Sequence, residues 1–229
     1  MDMENNKTDY TVSVLKGVVG AIPVIGSFAS EVIGHSIPKQ RQDRIASFVK
    51  EVAFRVEKLE QDKIENYFND PLFVDLLEDA VIQSTRALTQ ERIEHIANLI
   101  SSSISEDTIQ HDKYKRYLTL LNELTDTEII VLGLYVYPVN QHPEYYDRHE
   151  SVLKKEHPTF ASSTEEIEEY EIKKSHTEHL ARLGLLVPKY RIDNELKIPQ
   201  FSSDGTMEVS GYDITHLGKS LIKYIQSPK

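Results

Sequence analysis

The spacing of apolar residues between positions 39 and 124 constrains the fold more than any other feature of this sequence. Apolar residues recur there at intervals of three, four and seven, which aligns them along one side of a helix. The first helix is predicted after Pro38, with an apolar stripe of Ile45, Phe48, Val49, Val52, Val56 and Leu59. Further stripes follow Pro71, Thr89 and either Asp107 or Asp112, and the one after Pro71 includes Leu72 and Leu88. With short connections between them, these four or five helices are predicted to form an all-α bundle over residues 38–124.

The N-terminal segment, residues 1–37, contains the most apolar stretch of the chain. No charged residue occurs between Lys16 and Glu31, but these 14 residues are fewer than the roughly 20 that span a bilayer. Pro23 also interrupts the stretch, so two short helices are expected. We favour packing of this apolar hairpin on the following helices, and keep a homo-oligomer contact and insertion into a membrane or partner as alternatives. The residues that would insert are Val18, Val19, Ile22, Val24, Ile25 and Phe28.

Residues 125–229 differ from the predicted bundle in their pattern of apolar, polar and turn residues. A capped helix beginning at Thr125 or Asp126 and ending at Pro138 is apolar all round, which predicts burial on several sides. A polar loop over 138–163 follows, with one short helix predicted around 147–156. Residues 164–184 are predicted to form one long helix, or two with a turn near Glu171. The pattern then predicts a hairpin, with strands at 185–192 and 206–214. A final helix capped by Thr215 follows the hairpin.

Two segments of this region carry a resemblance to a known family. HLARLGLL at 179–186 and ITHLGKSLIKYI at 214–225 resemble the winged-helix domains of bacterial transcription regulators. In those domains a helix ending in Leu-Gly-Leu leads into the wing, and a Thr-x-x-Gly helix follows. The fold class expected is therefore mainly α, a helical bundle followed by a winged-helix-like α+β domain with a short β-hairpin over 125–229. With Gly-Ala-Ile-Pro at 20–23 ahead of a helical body, residues 10–130 resemble uncharacterised bacterial proteins, some associated with phage defence, and this resemblance implies no active residue.

The winged-helix resemblance implies DNA contacts from the helix 172–184 and from the wing. The candidates are Lys173, Lys174, His176, Arg182, Lys189 and Arg191. Acidic residues oppose them: segment 164–184 holds six glutamates and three basic residues, segment 186–213 holds five acidic and three basic, and the whole chain has a net charge of −11. Because DNA binding depends on phosphate neutralisation, this balance disfavours it. Dimerisation through the bundle would gather Lys173, Lys174 and Arg182 from two copies on one face.

No catalytic or cofactor pattern is present in the sequence. His176 and His179 lie three residues apart on one helical face but lack an evident third metal ligand, so we interpret them as solvated histidines. His142, His149 and His157 are widely spaced in a loop. The chain has no cysteine, no phosphate-binding glycine loop and no nucleophile elbow. We therefore expect no cofactor, no metal, no small-molecule substrate and no enzymatic activity.

The sequence thus predicts a cytoplasmic, non-enzymatic bacterial interaction or regulatory protein, since the start MDMENNKTDY lacks the basic region of a secretory signal. It would act through contacts with a protein partner or by self-association. One alternative is a DNA-binding transcriptional regulator, disfavoured by charge. The other is a membrane-associating phage-defence effector that uses residues 17–30.

Overall fold

The computed structural model describes residues 38–226 apart from 58–60, 106–109, 155–157, 160, 194, 196, 203 and 204. This part of the chain contains ten helices and one antiparallel pair of strands, which confirms a mainly helical fold with a short hairpin. The chain divides into two compact units, one of residues up to Glu123 together with those from Tyr224 onward, the other of Leu124–Lys223. The winged-helix assignment of the second region stays a prediction.

Five helices make up the described part of the first unit. They are α1 (Lys39–Val56), α2 (Gln61–Phe68), α3 (Pro71–Ser84), α4 (Gln90–Ser105) and α5 (His111–Glu123). The second unit is built from α6 (Asp126–Val136), α7 (Pro143–Arg148), α8 (Glu150–Leu153), α9 (Thr164–Arg182), β1 (Leu186–Tyr190) and β2 (Val209–Ile214). The last helix, α10 (His216–Ile225), begins in the second unit, and its final residues belong to the first.

The core of the first unit follows the predicted helical stripes. The five residues predicted on α1 from Ile45 to Val56 are all buried, and Leu59 lies outside the described residues. Asp70 caps α3 by accepting a hydrogen bond from the backbone N–H of Leu72, as expected for an acidic residue before a proline-initiated helix. The stripe prediction was wrong at Leu72 and Leu88, which are 51% and 84% exposed, because they lie in the first turn of α3 and in the α3–α4 connection.

Two capping boxes begin the longer helices of the second unit. The Thr125 side chain caps α6 and the Ser163 side chain caps α9, each paired reciprocally with a glutamate three residues on. Every residue of α6 is at least partly buried, as its all-round apolar sequence predicts. The segment 164–182 is one continuous helix, so no turn occurs near Glu171. A short helix lies within the predicted range 147–156, at Glu150–Leu153, but a second short helix, Pro143–Arg148, precedes it and was not predicted.

The hairpin joins α10 through the residues that carry the winged-helix resemblance. Gly184 has a positive φ of 74°, the left-handed conformation that glycine adopts readily after a helix. The backbone N–H of Thr215 donates to the carbonyl of Leu185 at 3.0 Å, and the Thr215 hydroxyl accepts from the N–H of Gly218 at 3.0 Å. A Cβ at position 218 would lie 2.4 Å from the Leu185 carbonyl oxygen. Glycine therefore permits the close approach of α10 to the start of β1.

Candidate functional site

The two cations predicted on the wing are already paired with acidic neighbours. Lys189 Nζ lies 2.8 Å from a carboxylate oxygen of Asp213, and Arg191 Nη1 lies 3.0 Å from one of Glu208. All four residues project from one face of the hairpin, which we call the charged face. A phosphate approaching this face would meet two carboxylates as well as the two cations, which weakens its attraction.

The lysines predicted on α9 are also held by glutamates of the same helix. Lys173 Nζ is 2.8 Å from Glu169, while Lys174 Nζ lies 3.8 Å from Glu171 and 3.9 Å from Glu178. The two lysines are adjacent in sequence and therefore point about 100° apart around the helix. The helix does not present them together to one ligand.

Arg182 differs from the other predicted cations. It is exposed at the end of α9, and no carboxylate within the described part of the chain pairs with it. One exposed arginine supplies one phosphate contact, whereas specific DNA binding commonly uses several. The six candidates therefore do not combine into a continuous cationic surface.

Glu128 forms a buried polar cluster with the two histidines of α9. Its Oε2 accepts hydrogen bonds from the Thr125 backbone N–H at 2.8 Å and from the Thr125 hydroxyl at 3.0 Å. Its Oε1 lies 2.7 Å from His179 Nδ1 and 3.5 Å from His176 Nδ1. The interpretation of these histidines as solvated was wrong, because both turn toward this carboxylate.

The pKa of Glu128 reflects two opposed effects. Burial raises the pKa, but the Thr125 backbone N–H and the His179 side chain favour the ionised carboxylate, so the net pKa lies below its usual range. The carboxylate is thus held in its charged form as the capping group of α6. This cluster stabilises the junction of α6 and α9.

A small cavity beside this cluster has too little volume for a substrate or cofactor. Its volume is about 40 Å³, and its lining includes Val131, Leu134, Tyr135, Lys173 and His176. That volume holds about three water molecules, whereas small-molecule sites usually begin near 300 Å³. Across the described residues no group of three histidine, aspartate or glutamate side chains is placed to bind a metal ion. Of the loop histidines, His142 lies 3.2 Å from Glu144, and His157 is outside the described residues.

The hairpin presents an apolar face opposite the charged one. In the sheet Tyr190 lies opposite Val209, and beyond the strands Ile192 lies opposite Pro199 and Phe201 opposite Met207. Directly opposed residues of paired antiparallel strands project from the same face, and successive residues alternate between faces. One face therefore carries six uncharged residues, which we call the apolar face: Tyr190, Ile192, Pro199, Phe201, Met207 and Val209.

The backbone between these pairs holds the face together. Gln200 donates its N–H to the carbonyl of Arg191, and Glu208 donates to the carbonyl of Gln200, both at 2.9 Å. Arg191 in turn donates to the carbonyl of Glu208 at 2.8 Å. Three short segments thus converge at the end of the hairpin, where the apolar residues lie opposite one another in pairs.

At the base of the hairpin, the side of the sheet that carries the apolar face is buried. Leu186 is buried and lies opposite Ile214, where α9 and α6 contact the strands. Farther along the same face, the large side chains are 39–59% exposed, with Phe201 the most exposed. The hairpin therefore extends a core-like surface beyond the helices that cover its base.

Sequence reasoning missed this face because of a β-bulge. Lys189 lies opposite Gly211 but Tyr190 lies opposite Val209, so Ser210 is an extra residue in β2. The bulge changes which residues of β2 face the core. Simple alternation from Ile214 would place Met207 and Val209 on the charged face. The signal in the sequence was the density of large apolar residues in a segment otherwise rich in turn residues.

The proposed membrane residues from Val18 to Phe28 lie outside the described part of the chain. Within the part that the structure describes, no helix combines the length and apolar character needed to cross a bilayer.

Comparisons of the chain with protein-family models, with curated proteins and with solved structures find no match. What the chain can do therefore has to be inferred from its own surface. Two features stand out there: five of the six predicted DNA-contact residues lie beside carboxylates, and an uncharged apolar face extends beyond the core.

Proposed function

We propose that this chain is a non-enzymatic interaction protein that acts through protein–protein contacts, with the apolar face of the hairpin as its contact surface. The observation that carries the proposal is the exposure of five large apolar side chains on one uncharged face of the described chain. Contiguous apolar surface of this kind is typical of sites that bind other proteins.

The composition of the apolar face supports the proposal. Tyrosine, phenylalanine and methionine are enriched at the centres of protein interfaces, where charged residues are depleted. Phe201 and Met207 lie opposite each other and together offer a flat aromatic ring beside an adaptable thioether. Each apolar side chain that becomes fully covered contributes on the order of 1 kcal/mol or more to association.

The alternative of a DNA-binding regulator receives less support from the charges. Five of its six candidate contacts have carboxylate neighbours within 4.0 Å. The net charge of −11 adds a long-range repulsion toward any duplex. DNA binding would first have to separate these pairs, which costs free energy, before phosphate contacts form.

Site-specific photo-crosslinking in cells tests the proposal. A photo-reactive amino acid replaces Phe201 in one variant of the full chain and Leu88 in the matched control. Leu88 is the most exposed large apolar residue described and belongs to the first unit. We expect position 201 to form discrete protein adducts that the additional substitution Met207→Glu abolishes, and position 88 to form none of the same adducts.

The result that would overturn the proposal is the absence of protein adducts specific to position 201. A nuclease-sensitive adduct at position 201 would instead support the DNA-binding alternative. Protein adducts that survive Met207→Glu would show that the apolar face does not select the partner.

A further inference from the structure

The apolar face contains one side chain that a mild oxidant can make polar. Met207 is 40% exposed on this face, and peroxides convert a methionine thioether to a polar sulfoxide. Resting on the proposed function, we infer that Met207 is an oxidation site that controls the contact surface, with hydrogen peroxide as the oxidant. The reduced thioether keeps the face apolar and able to bind, and the sulfoxide prevents binding.

No thiol competes with Met207 for the oxidant. The chain has no cysteine, whereas a cysteine thiolate would otherwise be a preferred target of peroxide. Of the three methionines in the chain, Met1 and Met3 lie outside the described residues. Within the part of the chain that the structure describes, the Met207 sulfur is therefore the site at which a peroxide reacts most readily.

The position of Met207 makes a polar group there costly to cover. Met207 lies opposite Phe201, the most exposed large side chain of the apolar face. Val209, two residues on, lies opposite Tyr190. Among these three neighbours only the Tyr190 hydroxyl could donate a hydrogen bond to a sulfoxide oxygen. A partner that covers the face with apolar atoms would remove water from this oxygen without replacing its hydrogen bonds, which costs free energy.

The proposed reaction balances with hydrogen peroxide as its co-reactant. The Met207 sulfur attacks one peroxide oxygen, so that a sulfur–oxygen bond forms and the oxygen–oxygen bond breaks. The sulfur loses two electrons and the peroxide gains them. The departing hydroxide takes the proton from the new S–OH group and leaves as water. In the reverse reaction, a methionine sulfoxide reductase removes the oxygen as water while two thiols are oxidised to a disulfide.

Oxidation and binding exclude each other at this position. A partner that covers the apolar face also covers the Met207 sulfur, and the rate of oxidation depends on the exposure of the sulfur. The free chain is therefore the form that reacts, and the bound chain is protected. The site responds to peroxide only while the apolar face is unoccupied.

Peptide mass spectrometry of the purified full chain tests the accessibility of Met207. In dilute protein treated with hydrogen peroxide, Met207 should gain one oxygen atom at a rate within about tenfold of its rate in the urea-unfolded chain. The matched control is Leu76→Met, a swap that conserves volume at a side chain that is only 2% exposed. The methionine introduced at position 76 should react at least about tenfold more slowly than Met207 in the same sample.

Photo-crosslinking from position 201 in cell extract tests the effect on binding. The full chain carrying the photo-reactive residue is used in three states: reduced, oxidised with peroxide that is then removed, and oxidised and then repaired with reductases for both sulfoxide epimers. Oxidation should lower the yield of protein adducts by about tenfold or more, because it places a polar group in an apolar contact. Repair should restore the yield of the reduced chain.

A variant that moves the methionine separates Met207 from any other oxidised site. The double variant Met207→Leu, Leu88→Met keeps three methionines, but the new one occupies an exposed site of the first unit. Each protein is compared with its own untreated sample, and peroxide should not change the adduct yield of the double variant. An equal fall in the double variant and the wild type would show that another site carries the effect, and would overturn the inference.

Three further results would also overturn it: protection of Met207 equal to that of a methionine at position 76, undiminished adducts from the fully oxidised chain, or adducts that repair does not restore. In each case, adducts formed by the reduced chain would leave the proposed function standing. An absence of adducts from the reduced chain would remove the proposed function and, with it, the role of Met207 in controlling the contact.

Discussion

At the residue scale, Glu128 shows how one buried carboxylate serves two elements. One of its oxygens accepts from Thr125 at the start of α6, and the other lies 2.7 Å from His179 on α9. The sequence could indicate only the first contact, because the capping partner is three residues away. The second partner lies 51 residues along the chain, and only tertiary packing brings it close.

We expect Glu128→Gln to lower the free energy of unfolding by about 2 kcal/mol at neutral pH, since it removes charge-assisted hydrogen bonds from a buried site. The folded-state pKa of Glu128 is below its usual range. The contribution of the ionised group is therefore fully present above the unfolded pKa of about 4.3 and is lost as the pH falls through the lowered folded pKa. The difference between wild type and variant in urea unfolding should accordingly shrink on acidification.

The matched control for this prediction is Glu166→Gln. Glu166 occupies the same capping-box position at the exposed start of α9, so its substitution should cost no more than about 0.5 kcal/mol. If the two variants lost the same free energy of unfolding at neutral pH, the role assigned to Glu128 would be contradicted. A loss of unfolding free energy in Glu128→Gln that does not change with pH would contradict it as well.

At the element scale, the junction of the hairpin and α10 depends on close backbone approach. The Cβ of an alanine at position 218 would meet the backbone carbonyl of Leu185, which cannot move away as a flexible side chain can. At Gly211 in β2, by contrast, no atom lies within 4 Å of the added Cβ. These two glycines provide a matched pair in neighbouring elements.

We expect Gly218→Ala to lower the free energy of unfolding by about 2 kcal/mol, the scale of overpacking in a well-packed site. Gly211→Ala should change it by less than about 0.5 kcal/mol. Urea unfolding of the two variants measures the difference. A Gly218→Ala variant as stable as Gly211→Ala would show that α10 does not need the close approach.

The elements differ in how far the sequence predicts them. The stripe of α1 was predicted correctly from Ile45 to Val56, because a period of 3.6 residues over several turns leaves few alternatives. Leu72 and Leu88 were misassigned because the first turn of a helix and a connection do not follow the period of the helix interior. In the hairpin, one inserted residue at Ser210 places Val209 on the opposite face from the one that simple alternation from Ile214 gives, and no periodic rule predicts where a bulge occurs.

At the scale of the whole molecule, the net charge of −11 disfavours anionic partners such as DNA. The net charge could be read directly from the composition, and it disfavoured DNA before any geometry was known. That Lys189 and Arg191 lie beside Asp213 and Glu208 required the folded hairpin. The apolar face could not be predicted from the sequence either, because it forms only when the fold brings together residues 190–192, 199–201 and 207–209.

The most direct test of this account is hydroxyl-radical footprinting of the apolar face, in cells and in dilute purified protein. Labelling of Tyr190, Phe201 and Met207 is compared with labelling of Leu88 in the same sample. We predict that the three hairpin residues are protected several-fold in cells relative to dilute protein, while Leu88 is labelled equally in both. Equal labelling of the hairpin residues in the two settings would show that nothing covers the apolar face, and would contradict its role as the contact surface.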